Sequence, residues 1–217
     1  MNLELARANM IEQQIRTWEV LDPRVLQVMA EVPRERFVPE RFRNLAFADI
    51  QVPIGHDQVM MAPKVEGRLL QALAVRPGDR ILEVGTGSGY VTALLARLGS
   101  EVWSVDIHAD FVRDAGKQLA ALGVKNVRLA AGDAVAGWPA QPQYDVIAIT
   151  GSVLELPARF REQLAPGGRL FVIEGAAPVM EARLVTRVTD VDFAVEGLFE
   201  TELPPLVGVK PPSRFRF

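Results

Sequence analysis

The sequence contains no cysteine, which excludes disulfides, thiolate metal sites and a cysteine nucleophile. It has two histidines, His56 and His108, too few for a histidine-rich metal centre, so no metal is expected. Nor is there a basic excess: 24 Lys and Arg stand against 27 Asp and Glu, giving a net charge of −3 and a pI near 5.5. Phosphate binding favours a basic surface, so nucleic acid is not the expected partner. No run approaches the ~18 apolar residues of a membrane span. The opening MNLELARANM mixes charged and apolar residues without the apolar centre of a secretion signal. These features together read as cytoplasmic, with no membrane contact.

What is present suits an ordinary folded protein: 217 residues, 49% hydrophobic and 24% charged. A chain of this length buries roughly 70% of its unfolded surface and needs no staples. The cluster Arg34, Arg36, Arg41 and Arg43 is interleaved with Glu35 and Glu40 and reads as a solvated face. The closing Arg214-Phe215-Arg216-Phe217 reads as a tail.

Residues 1–63 read as a helical and looped preface, and residues 64–217 as one further compact unit. Leu3, Ala6, Met10, Ile11 and Ile15 have helical spacing over residues 3–16. Asp22-Pro23 looks like a helix start, with a cap followed by a first-turn proline. From Pro33 to Pro63, prolines and mixed polarity predict irregular structure. Thereafter strands and helices alternate. Arg80–Val84, Glu101–Asp106, Val127–Ala131, Tyr144–Thr150 and Arg169–Ile173 read as strands; Tyr90–Leu98, Asp110–Leu122 and Leu156–Leu164 read as helices. That alternation predicts an α/β fold with a parallel sheet, helices on both faces. Leu184–Thr189 and Phe193–Glu200 then suggest an antiparallel edge.

The strongest local signal is the run Leu82–Gly89, LEVGTGSG, at the end of the first of these strands. Glycines turn a chain sharply and bring backbone amides close to a ligand. A dinucleotide fingerprint places its third glycine three residues after the second. Here it comes two after, and Tyr90 takes the dinucleotide position, so the loop favours a ligand without pyrophosphate. The alternative is a glycine turn with no ligand. Asp106 ends the next strand, 21 residues after Gly85, where a carboxylate meets two ribose hydroxyls; alone, it would be a solvated cap. Gly132-Asp133 follows the third strand and faces either an adenine edge or a helix start, as an N-cap.

As a set, these motifs resemble the Rossmann-like S-adenosylmethionine-dependent methyltransferases over about residues 78–175. The resemblance implies a doubly wound, mostly parallel sheet with an antiparallel C-terminal edge and an N-terminal extension. It also implies a donor site made by Glu83, Gly85, Thr86, Gly87, Ser88, Gly89, Asp106, Ile107, Gly132, Asp133 and Ala134. S-adenosyl-L-methionine would be the cofactor and S-adenosyl-L-homocysteine its product. A nicotinamide dehydrogenase is disfavoured by Tyr90.

The preface narrows the resemblance. Met10-Ile11-Glu12-Gln13-Gln14-Ile15, Val32-Pro33-Arg34 with Phe37-Val38-Pro39, and Pro53-Ile54-Gly55-His56 with Gln58 are similar to the protein-L-isoaspartate O-methyltransferase family. Gly137-Trp138-Pro139, Leu164–Leu170 and Pro205-Leu206-Val207-Gly208 continue the likeness. The family methylates the free carboxylate of isoaspartyl residues in damaged proteins; the ester collapses through a succinimide and restores some normal aspartate. By this resemblance His56, Gln58 and position 61 belong to the catalytic set, and Val59, Met60, Pro205, Leu206 and Val207 meet the substrate. The family's loop reads TISQP or TISAP, whereas Val59-Met60-Met61-Ala62-Pro63 stands here, so two hydroxyls are replaced. Losing one hydrogen bond to a charged group costs about 1.5–3 kcal/mol. Two alternatives follow: the same fold acting on another substrate, or a catalytically silent S-adenosylmethionine-binding protein. Ser152 is a candidate replacement hydroxyl, or else a turn cap. Trp138 and Tyr144 read as packing residues, and Met60-Met61 as core or as a soft apolar wall.

Overall fold

The preface folds in short pieces because its apolar runs are short. In a computed structural model, which describes residues 2–209, helix α1 spans Leu3–Met10. Asn2 caps it by accepting from the Leu5 amide at 3.1 Å. The same helical course runs on through a π turn, Ile11–Ile15, and a 3₁₀ turn, Arg16–Trp18. Helix α2, Pro23–Glu31, starts where the sequence indicates, with Asp22 accepting from the Arg24 amide at 2.8 Å. The segment expected to be irregular, Pro33–Pro63, contains a hairpin that the sequence did not reveal, strands β1 (Val52–Gly55) and β2 (Gln58–Met60). Directly after it comes helix α3, Pro63–Leu73, also unread in the sequence. The Arg214–Phe217 segment lies outside the described residues.

Helix α3 seats the preface on the sheet. It buries Val65, Leu69, Leu70 and Leu73. Gly67 lets the preface come close, since a Cβ there would lie 3.1 Å from Ile15 Cγ2 and 3.2 Å from Val20 Cγ2. One apolar cluster contains Met10, Ile15 and Met29 together with Leu94, Val146 and Phe171, so preface and sheet share a core.

The remaining strands are β3 (Arg80–Val84), β4 (Glu101–Asp106), β5 (Val127–Ala131), β6 (Tyr144–Val153), β7 (Leu164–Ala176), β8 (Val179–Arg187) and β9 (Phe193–Glu200). They form one sheet in the order β5-β4-β3-β6-β7-β8-β9. The first five are parallel and the last two antiparallel. This is the doubly wound sheet with an antiparallel edge that the sequence predicts. Its inner strands are covered on both faces, which explains their apolar runs: Ile81, Leu82, Ile147, Ile149 and Leu170–Ile173 are fully buried. Helices α4 (Tyr90–Leu98), α5 (Ala109–Ala121) and α6 (Ala158–Glu162) complete the layers. The chain proceeds from β3 outward to β5, then returns to β6 on the other side of β3. That reversal opens a crevice at the strands' carboxyl ends, where open α/β sheets bind ligands.

One expectation needs correction. Arg36, Arg41 and Arg43 are exposed, but Arg34 is completely buried. Its counter-charge is Glu66, on the helix that the sequence did not reveal. Tyr144, the first residue of β6, is buried in the second apolar cluster, and Trp138 packs partly buried against it.

Candidate functional site

The glycine loop turns out of β3 with Gly85, Gly87 and Gly89 at φ of 102°, 50° and 84°, conformations that side chains rarely adopt. At Gly85 there is also no space, because a Cβ would lie 2.4 Å from Thr150 Oγ1. Thr86 hydrogen-bonds Ser104 Oγ at 2.6 Å, tying the loop to β4. Asp106, nearly buried at the end of β4, braces the loop. Its Oδ2 accepts from the Gly87 amide and its Oδ1 from the His108 amide, both at 2.9 Å. Each oxygen keeps a second lone pair for a ligand.

Glu83 lies under the loop with none of its surface exposed. Its Oε2 accepts from Thr92 at 2.5 Å and Ser104 at 2.6 Å, while Oε1 has no partner among the described residues. Burial pushes this carboxyl up to about 8, against the pull of the Ser104 and Thr92 hydroxyls. A buried, unsatisfied carboxylate oxygen at a cavity wall suits a cationic ligand.

Two adjoining cavities share Gln58, Gly85, Asp106 and Leu206. One extends over Ile107, Gly132, Asp133, Ala134 and Val207. Asp133 Oδ1 accepts from the Val135 amide at 2.9 Å and shapes that turn; no helix follows it. The other cavity extends over Glu83, Thr86–Ser88 and the preface loop Val59-Met60-Met61. Met60 and Met61 are buried and form its apolar side. Leu206 reaches the cleft because the chain returns beside β6: Ser152 N–H donates to Pro204 O at 3.0 Å, and Leu206 N–H to Ser152 O at 2.9 Å. The Ser152 hydroxyl donates to Leu203 O at 2.7 Å and is buried, so it does not replace the missing loop hydroxyls.

His56 lines neither cavity. It sits at the β1–β2 turn with φ of 51°, hydrogen-bonds Asp110 at 2.9 Å and stacks on His108 at 3.9 Å. It thus clasps the hairpin to the start of α5. The hydrogen bond from His56 holds the Asp110 carboxyl below the usual carboxylate range. His56, His108 and Asp110 bring ligand atoms within 4.8 Å of one another. Imidazole lone pairs lie in the ring planes, however, and rings inclined by only 9° do not aim at a common ion. Sequence reasoning missed Thr150, Glu66, Phe111 and Ile54, which also line the preface side. Thr150 had a signal, its place at the carboxyl end of a central strand. Glu66 had none once its helix went unrecognised.

A doubly wound sheet with a glycine loop at its switch point, a ribose-spaced acid and Tyr90 in place of the third dinucleotide glycine defines the S-adenosylmethionine-dependent methyltransferase class of α/β protein. More closely, the chain belongs to the protein-L-isoaspartate(D-aspartate) O-methyltransferase family, whose model matches residues 5–208. It is 41% identical over 204 residues to protein-L-isoaspartate O-methyltransferase 1 of Rhodopseudomonas palustris (strain HaA2), covering 93% of this chain and 83% of that protein. A Gloeobacter violaceus protein-L-isoaspartate O-methyltransferase is 36% identical, covering 93% of this chain and 98% of that one. A solved protein-L-isoaspartate O-methyltransferase superposes with a TM-score of 0.81 at 25% identity, covering 93% of this chain and 66% of that one. A Plasmodium falciparum protein described as such an enzyme, in complex with S-adenosyl-L-homocysteine, shares the fold with a TM-score of 0.80 at 20% identity. That match covers 95% of this chain and 98% of that one. No helix among the described residues is long and apolar enough to cross a membrane.

Proposed function

We propose that this protein transfers a methyl group from S-adenosyl-L-methionine to the free carboxylate of L-isoaspartyl residues in peptides and damaged proteins. The observation that carries this is the joining of the two cavities. The cleft at the strand ends opens, across Gln58 and Asp106, directly onto the family's substrate loop. In this reading the free lone pairs of Asp106 take the ribose hydroxyls, and Ile107, Gly132, Asp133 and Ala134 bound the adenine. Gly85, Gly87 and Gly89 let the backbone approach the amino-acid end, and Glu83 Oε1 takes its positive charge. When bound, the donor supplies an electrophilic methyl group on a sulfonium.

The rest falls to the chain. An isoaspartyl carboxylate is ionised at neutral pH, so no base is needed. The acceptor must be aligned with the methyl group and kept from water, and such orientation contributes roughly 7–11 kcal/mol. Val59, Met60 and Met61 exclude water on one side. Pro205-Leu206-Val207, held parallel to β6 at Ser152, frames an extended peptide on the other. The Thr150 hydroxyl already bonds Gly85 O at 2.6 Å and Val84 O at 3.0 Å. Gln58, whose carboxamide has no hydrogen-bond partner among the described residues, is the donor this reading assigns to the acceptor oxygen, in a cavity that the Ser88 and Tyr90 hydroxyls also line. Methyl-labelled donor with an isoaspartyl peptide, and the aspartyl peptide as control, is the test. Alkali-released labelled methanol from the first peptide alone is expected. No release despite donor binding would favour the redirected or silent alternatives.

A further inference from the structure

The most heavily engaged side chain in the preface is Arg34, and nothing in the chemistry above uses it. It stands in a 3₁₀ turn, Arg34–Arg36, with no exposed surface. Every guanidinium nitrogen has a partner. Nε donates to Ala46 O and Nη2 to Met61 O, both at 2.8 Å, while Nη1 pairs with the Glu66 carboxylate. The guanidinium also lies 4.9 Å from the centre of the Tyr90 ring, the first residue of α4 after the glycine loop. Glu66, equally buried, sits in the first turn of α3, where the helix dipole favours a carboxylate. Four segments of chain are thus pinned to one rigid fork, and three of the pinned residues, Met61, Glu66 and Tyr90, line the methyl-transfer cavity.

A brace for stability alone has no need of charge. Burying two ions costs desolvation, and apolar side chains of similar volume replace such pairs without loss in many folds. A planar fork, by contrast, fixes direction and distance to several acceptors together. The bond to Met61 O is the informative one, because it holds the backbone of a substrate-loop residue that lacks any side-chain hydrogen-bonding group. We propose that Arg34 and Glu66 are a positioning pair that sets Met61, and with it the apolar acceptor wall, at its working distance from the donor cleft. This rests on the carboxyl-methylation reading.

The test uses the full chain carrying ¹³C-methyl methionine, with the Met61 signal assigned by Met61→Leu. Arg34→Lys keeps a cation for Glu66, but a single ammonium cannot serve Ala46, Glu66 and Met61 in the directions of the fork. Arg34→Met with Glu66→Met removes both charges and keeps the bulk. In both variants the Met61 methyl signal is expected to move. Misplacement by 1 Å costs up to about a hundredfold, so kcat on the isoaspartyl peptide should fall at least about tenfold. Affinity for S-adenosylhomocysteine should stay within about twofold, because the ribose and adenine contacts are untouched. For the double variant, which also leaves the Ala46 and Met61 carbonyls without their donors, the thermal midpoint should fall, but kcat measured where the variant is fully folded should fall as well, a split that a mere brace does not produce. An unmoved Met61 signal in both, a kcat loss matching the unfolded fraction, or failure of both to fold would overturn the proposal. If the native chain did not methylate the isoaspartyl peptide, the functional reading would fall, whereas the Met61 signal would still report on the pair.

Discussion

Replacing Asp106 by Asn leaves the side chain its size and removes its charge. In the native chain each carboxylate oxygen already accepts one backbone amide, from Gly87 and from His108, so both ligand-facing lone pairs belong to oxygens that brace the loop. Asn has one oxygen and one NH₂ group. The oxygen can keep one amide and one ribose hydroxyl, but the NH₂ group meets an N–H donor on the other side. One charge-assisted bond to ribose is therefore lost, worth about 1.5–3 kcal/mol. That corresponds to an S-adenosylhomocysteine affinity weaker by about ten- to hundredfold. Calorimetry gives the affinity, and repeating it with the 2′-deoxy ligand separates ribose contact from loop distortion. The native protein should lose affinity for the deoxy ligand, and the Asn variant should lose much less, because mutation and deletion remove a shared contact. Equal losses in the two proteins would refute the assignment of Asp106 to the ribose. An Asn variant with native affinity would refute it more simply.

The sheet was legible because its strands are buried on both faces and write themselves as unbroken apolar runs, punctuated by Gly85, Gly132 and Gly167. Asp106 was legible for a related reason: the spacing of one βαβ unit fixes where its strand ends. Helix α3 was not, since Lys64, Glu66, Gly67 and Arg68 interrupt its apolar face and Pro63 reads as a breaker unless the helix is known to follow. The β1–β2 hairpin hid for another reason. Its strands are very short, Pro53 lies within one, and His56 and Asp57 adopt positive φ without the usual Asn-Gly signal. Arg34 was misplaced as a consequence: a charge among alternating charges reads as solvated until a partner is found on a helix 32 residues further on. Each of these failures falls between Arg34 and Leu73, where tertiary contacts outweigh local pattern.

The Glu83 carboxyl is raised in the folded chain from the ordinary glutamate value of 4.5 to about 8. A raised acid contributes stability that is full below the unfolded pKa and is lost as pH climbs through the folded value. Glu83→Gln should therefore flatten the decline of the ligand-free thermal midpoint between about pH 5 and 8; an unchanged slope would place the titration elsewhere. If Glu83 takes the donor's positive charge, binding near pH 7 should release a proton, visible as a buffer-dependent calorimetric enthalpy that Glu83→Gln abolishes. His56→Ala should let the Asp110 carboxyl titrate at higher pH, because the imidazole hydrogen bond is the leading cause of its depression; an NMR titration that does not move would remove His56 as the cause. Gln58→Ala should lower kcat/KM on the isoaspartyl peptide by about ten- to hundredfold, the worth of one hydrogen bond to a carboxylate. The same reasoning sets the sign of Met61→Ser. Met61 is buried, so its truncation leaves a cavity costing about 2–5 kcal/mol of stability. The serine nevertheless places a hydroxyl in the acceptor cavity and should partly rescue Gln58→Ala. A double variant no faster than Gln58→Ala alone would mean that a hydroxyl at position 61 does not reach the acceptor oxygen.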